Sequence, residues 1–116
     1  MKIKKLELNN FRPFRHLDID FNERVTVLVG INGAGKTSIL DALAILLSRL
    51  IGRIRSTHGT GRFFTETDIR LGASETANTI KITFNDHEIF WRITKTKRGR
   101  KKQTISNLAQ LKEIIE

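Results

Sequence analysis

The chain has 116 residues, 39% of them hydrophobic and 28% charged, which suits one small soluble domain with a modest core. The absence of cysteine excludes disulfides, thiolate metal sites and cysteine nucleophiles, and His16, His58 and His87 are too scattered in sequence to suggest a zinc site. A formal charge of +9, from 21 basic and 12 acidic residues, fits an anionic partner such as nucleic acid, and fits equally well a piece whose acidic complement lies elsewhere.

The N-terminus MKIKKLELNN has early lysines but no uninterrupted apolar segment behind them, so it does not read as a secretory signal. The longest apolar stretch, residues 39–47, is interrupted by Asp41 and is too short to span a bilayer. A cytosolic protein with no membrane partner is expected.

In chain order, Ile3, Leu6 and Leu8 alternate with polar residues over positions 2–9, with a one-residue irregularity, and predict a half-buried strand. Residues 9–13, Asn-Asn-Phe-Arg-Pro, predict a turn. Leu17, Ile19 and Phe21 alternate with Asp18 and Asp20 in a second strand. Residues 25–29, Val-Thr-Val-Leu-Val, suit a strand buried on both faces, as in an α/β sheet. After glycine-rich residues 30–35, a helix is predicted over about 36–50, apolar nearly all round and therefore largely buried. Residues 52–62 read as a loop, and 63–71 fit no single element. Two strands, 79–84 and 88–94, are predicted to form an antiparallel hairpin joined at Asn85-Asp86-His87. A basic turn follows around Gly99, and Leu108, Leu111, Ile114 and Ile115 fit an amphipathic helix within residues 105–116.

Residues 30–37, Gly-Ile-Asn-Gly-Ala-Gly-Lys-Thr, match the P-loop pattern G-x-x-x-x-G-K-[ST], set between a buried strand and a long apolar helix. Glycines let the backbone approach closely and aim successive N–H groups at phosphate oxygens. The helix N-terminus adds its positive end. Lys36 supplies a flexible point charge for the terminal phosphates, and the Thr37 hydroxyl is a hard oxygen ligand suited to Mg²⁺.

The flanking residues extend the motif. Phe11-Arg12-Pro13-Phe14, then residues 17–21, then Gly30 through Thr37 followed by Ser38-Ile39-Leu40-Asp41-Ala42, resemble the N-terminal lobe of SMC/RecF-type ATPases, the ABC-like ATPases of DNA repair, chromosome organisation and phage defence. The resemblance is closest over residues 1 to about 50 and looser over 63–102, and within the group it points to compact bacterial ATPases of the Septu and retron-associated kind. It implies an α/β P-loop NTPase lobe with a mixed sheet, a buried P-loop helix and a small antiparallel β subdomain. On that reading residues 1–52 are the P-loop core, 63–104 the subdomain and 105–116 the start of a helix. It also implies that Asn32, Gly33, Ala34, Gly35, Lys36, Thr37 and Ser38 hold ATP and Mg²⁺, and that Arg12 approaches the nucleotide phosphates. Asp68, Ile69 and Arg70 fall where relatives pack near the adenine, or form a structural turn. For Arg12 the alternative is an ordinary solvated loop residue.

Relatives of this type also need a Q-loop glutamine, a signature motif, a Walker B Asp-Glu pair and a switch histidine. None is recognisable in the 116 residues; Gln103 and Gln110 have no Q-loop context. The resemblance therefore implies a partial ATPase head that needs a C-terminal lobe and a second head, with DNA and a nuclease as further partners. The chain alone is expected to bind nucleotide weakly and not turn it over. The absence of N-K-x-D argues against a GTPase.

Lys95, Lys97, Arg98, Arg100, Lys101 and Lys102 place six basic residues in eight positions. As a hairpin tip they are candidates for nucleic-acid phosphates, which makes a non-catalytic nucleic-acid-binding or interaction module the alternative function. A solvated loop is the plainer reading.

Overall fold

The computed structural model describes residues 2–21, 34–55, 62–97 and 103–106. The expected strand at 25–29, P-loop residues 30–33, part of the basic turn (98–102) and residues 107–116 lie outside the described residues. Five strands, β1 (Lys2–Phe11), β2 (Phe14–Asp20), β3 (Glu75–Phe84), β4 (His87–Thr96) and β5 (Gln103–Ser106), form one sheet in the order β2-β1-β3-β4-β5. Every pairing among them is antiparallel. Among the described residues one helix, α1 (Ala34–Arg55), packs on one face, and a short 3₁₀ turn covers Glu66–Asp68.

The irregularity in β1 has a structural cause. Ile3 and Leu6 have opposite parity, so a regular strand would send them to opposite faces. A register shift against β3 between Ile3 and Lys5 changes the phase, and Ile3 packs against the same core that buries Leu6 and Leu8. β3 and β4 are joined by Asn85 and Asp86, with φ of 50° and 64°, a two-residue turn whose left-handed backbone Asn and Asp tolerate better than most residues. Both strands are longer than the alternation predicts. β3 pairs directly with β1, so the predicted hairpin is part of the five-stranded sheet.

The core lies between the sheet and α1. Leu6, Leu8, Ile80, Ile82, Ile89, Trp91 and Ile93 come from the strands; Ile39, Ala42, Leu43, Ile45, Leu46 and Leu50 come from the helix. Phe11 and Phe64 close one end edge-to-face, with ring centroids 5.6 Å apart. α1 exceeds the predicted helix at both ends, taking in residues 52–55 that read as loop. Its burial is one-sided: Leu40 is 48% and Ile51 53% exposed, with Ala44 exposed between them, so an apolar stripe at helical spacing faces away from the sheet. The helix expected from residue 105 does not begin there, because Ile105 and Ser106 pair with Arg92 and Trp91 in β5. A short polar-apolar run beside a long antiparallel partner gains ladder hydrogen bonds as a strand, and local periodicity cannot register that gain.

Candidate nucleotide-phosphate site

The P-loop runs into the N-terminus of α1. The helix begins at Ala34, and no acidic residue occupies its first turn, so its free N–H groups and positive dipole end are not offset locally. Lys36 and Thr37 are exposed on that turn, whereas Ser38 is buried at 4% exposure. Gly35 is half-buried. Asn32 and Gly33 lie outside the described residues.

Arg12 is not a solvated loop residue. It occupies the β1–β2 turn with φ 51°, a left-handed conformation uncommon outside glycine. The surrounding backbone holds that geometry. The Arg12 N–H donates to the Asp68 carbonyl at 2.8 Å, the Arg70 N–H donates to the Asn10 carbonyl at 2.8 Å, and Phe11 bridges Ile69. The guanidinium is fixed as firmly. Its Nη1 donates to Asp41 Oδ2 on α1 at 2.6 Å, its Nε to Asp68 Oδ1 at 3.0 Å, and its Nη2 lies 2.9 Å from the same Oδ1. Its carbon stands 4.9 Å from the Phe11 ring centroid.

Burial opposes the charge on Arg12, but the hydrogen bonds and charges of Asp41 and Asp68 outweigh it and raise the guanidinium pKa above its ordinary value. Asp68 is buried, its side chain only 7% exposed, and its other oxygen accepts the Thr65 N–H at 2.9 Å. Removing the guanidinium would leave that carboxylate uncompensated, which costs about 3–5 kcal/mol in buried pairs. The structure thus brings Arg12 and Asp68 together and adds Asp41, four residues beyond Thr37 on α1. In the sequence Asp41 appears as an interruption of the apolar run and within residues 38–42 of the resemblance, neither of which gives it a partner. A lone carboxylate within a buried helix stretch is itself the signal of a paired charge.

The basic turn connects two paired strands. β4 and β5 are in register from Thr94↔Gln103 to Trp91↔Ser106, and residues 97–102 fall between them; Lys95, expected in the turn, lies instead within β4, paired with Thr76 of β3. Lys95 is half-buried and Lys97 exposed; Arg98, Arg100, Lys101 and Lys102 lie outside the described residues. Trp91 serves the core, and Phe90 points to the opposite sheet face. That face carries a shallow groove of about 310 Å³ lined by Lys5, Glu7, Thr79, Lys81, Phe90 and Arg92. It also gathers His16, Glu7 and Asp18, with ligand atoms within 4.8 Å of one another, a grouping that residue spacing does not reveal. Both carboxylates there are already paired, Glu7 with Arg92 and Asp18 with Lys5.

Residues 5–116 match the AAA domain family AAA_23. The chain belongs to that family. AAA_23 membership agrees with local similarity to DNA repair proteins. The chain is 48% identical over 46 residues to the DNA replication and repair protein RecF of Clostridioides difficile, covering 40% of this chain and 12% of that protein. It is 39% identical over 66 residues to RecF of an Arthrobacter species, covering 57% and 16%. It is 50% identical over 42 residues to the DNA double-strand break repair Rad50 ATPase of Methanosarcina acetivorans, covering 36% and 4%. Among solved structures, the SMC head domain from Thermotoga maritima matches with TM-score 0.61 at 24% identity, over 92% of this chain and 37% of that one. The recombination mediator protein RecF-ATPrS of the RecFOR pathway matches with TM-score 0.61 at 18% identity, over 90% and 26%. The AAA_23 chain therefore has the fold of the N-terminal region of an SMC/RecF-type P-loop ATPase, and it spans a small part of the length of these relatives. No described helix is long and apolar enough to cross a membrane.

Proposed function

We propose that this chain binds ATP with Mg²⁺ as the N-terminal half of an SMC/RecF-like ATPase head acting in DNA repair, chromosome maintenance or anti-phage defence, in the cytoplasm. The observation that carries the proposal is the P-loop sequence leading into α1, whose first turn exposes Lys36 and Thr37 and holds no carboxylate. The donor set fits the ligand. Asn32, Gly33, Ala34 and Gly35 would cradle the phosphates, Lys36 would neutralise them, and Thr37 would be the protein's oxygen ligand for the metal. Ser38, buried next to Thr37, would complete the nucleotide-binding set, and Arg12 would add an oriented cation from the β1–β2 turn. Mg²⁺, when bound, would draw charge from the terminal phosphates.

Hydrolysis would require a C-terminal lobe bringing a Walker B carboxylate pair, a signature motif and a switch histidine. The exposed stripe of Leu40, Ala44 and Ile51 supports such a lobe, because it offers an apolar docking face on the P-loop helix itself. ATP sandwiched between two heads, with closure coupled to DNA or to a nuclease partner, is the expected working assembly. Steady ATP hydrolysis by the purified 116-residue chain, abolished by Lys36→Ala, would contradict the need for that lobe; binding without turnover is the expected result.

A second reading is supported by the β4–β5 pairing, because Lys97, Arg98, Arg100, Lys101 and Lys102 fall in sequence between the two strands and Lys95 lies near the end of β4. Such a tip could track nucleic-acid phosphates without nucleotide. DNA binding that survives Lys36→Ala and needs no ATP would support it over the first reading.

A further inference from the structure

Arg12 is held more tightly than an arginine that merely contributes charge needs to be. The trio of Arg12, Asp41 and Asp68 carries one cation and two carboxylates, so its net charge is negative. A residue kept only to raise the local positive potential would not be paired twice. What the two carboxylates supply is direction. Asp68 takes the Nε and Nη2 edge and Asp41 takes one Nη1 proton, from two different elements of the fold. Three of the five N–H donors are taken, which leaves one on each terminal nitrogen for phosphate oxygens. The turn that carries Arg12 is held in a left-handed conformation by backbone bonds to residues 68 and 70, so the main chain is as constrained as the side chain. Asp41 lies four residues beyond Thr37 on α1, so the clamp is anchored about one helical turn beyond Thr37 and about two turns from the helix N-terminus.

We infer that Asp41 and Asp68 are positioning residues that hold Arg12 as a pre-oriented donor for a phosphate bound at the N-terminus of α1. This rests on the nucleotide-binding reading above and adds to it the two residues that fix the arginine. The ordering of a long flexible side chain is complete before the ligand arrives, so binding does not have to supply it. The N–H groups left for a phosphate are not those the carboxylates use.

The test uses the 116-residue chain, Mg²⁺-ATP as the probe and two readouts: the ATP dissociation constant, and the Arg12 Nε–H resonance in ¹⁵N spectra, identified by its loss in Arg12→Lys. In the unliganded protein that resonance should be sharp and protected from solvent exchange, and it should shift on adding ATP. Asp68→Asn should lose the protection and weaken ATP binding about tenfold, the size expected when one charge-assisted hydrogen bond is removed. Should Asp68→Asn fail to fold by circular dichroism, Asp41→Asn, at a half-exposed position, carries the same two readouts with the same expected direction. ATP affinity within about twofold of the unmodified chain in a folded variant that has lost the protected resonance, with Lys36→Ala abolishing binding, would overturn the positioning role alone. ATP binding unchanged by Lys36→Ala would instead overturn the nucleotide reading, and the clamp's role with it.

Discussion

The indole N–H of Trp91 donates to the carbonyl of Leu46 at 2.8 Å, joining the middle of β4 to the middle of α1 inside the core. Both residues are fully buried, so the bond fixes where the P-loop helix lies on the sheet. Trp91→Phe removes the donor and part of the ring volume. It should destabilise the chain by about 1–3 kcal/mol, read as a lower denaturation midpoint with an unchanged denaturant slope.

The β3–β4 turn gives a test of backbone strain. Asp86 has φ 64°, which a β-branched side chain tolerates poorly. Asp86→Val should cost about 1–2 kcal/mol, and Asp86→Gly should cost nothing measurable, because glycine at the second position suits this turn. Equal denaturation midpoints for the two variants would contradict the turn geometry.

The two faces of α1 should respond differently to substitution. Leu46→Ala, on the sheet side, should cost about 2–5 kcal/mol in chemical denaturation. Leu40→Glu with Ile51→Glu, on the open side, should change stability by less than about 0.5 kcal/mol per site. The same pair should prevent association with a co-expressed C-terminal lobe, read by size-exclusion chromatography. A complex that forms unchanged would remove the docking role of the stripe.

If the basic hairpin binds nucleic acid, replacing Lys95, Lys97, Arg98, Arg100, Lys101 and Lys102 by serine should flatten the salt dependence of DNA binding. Each phosphate no longer neutralised lowers the slope of log K against log salt by roughly 0.9 on duplex DNA. An unchanged slope would leave the turn as a solvated loop.

Local pattern reveals much of this fold. The period-two runs of β1 through β4 and the helical period of α1 each follow from a single segment. The order of strands does not, since β1 pairs with β3 across more than sixty intervening residues, a pairing no window of sequence contains. The same limit applies at the site. The P-loop is legible because its chemistry is contiguous, from Gly30 to Thr37. The Arg12 clamp is not, because Asp41 and Asp68 come from a helix and a 3₁₀ turn 29 and 56 residues away. Ile105 and Ser106, expected at the start of a helix, belong to β5 because Arg92 and Trp91 of β4 pair with them, partners their own neighbours do not announce.

The most direct test of the central claim is calorimetric titration of the 116-residue chain with Mg²⁺-ATP, beside Lys36→Ala. The account predicts weak, saturable binding by the unmodified chain that Lys36→Ala abolishes while circular dichroism stays the same. No ATP binding by the unmodified chain, or equal binding by the two, would contradict it.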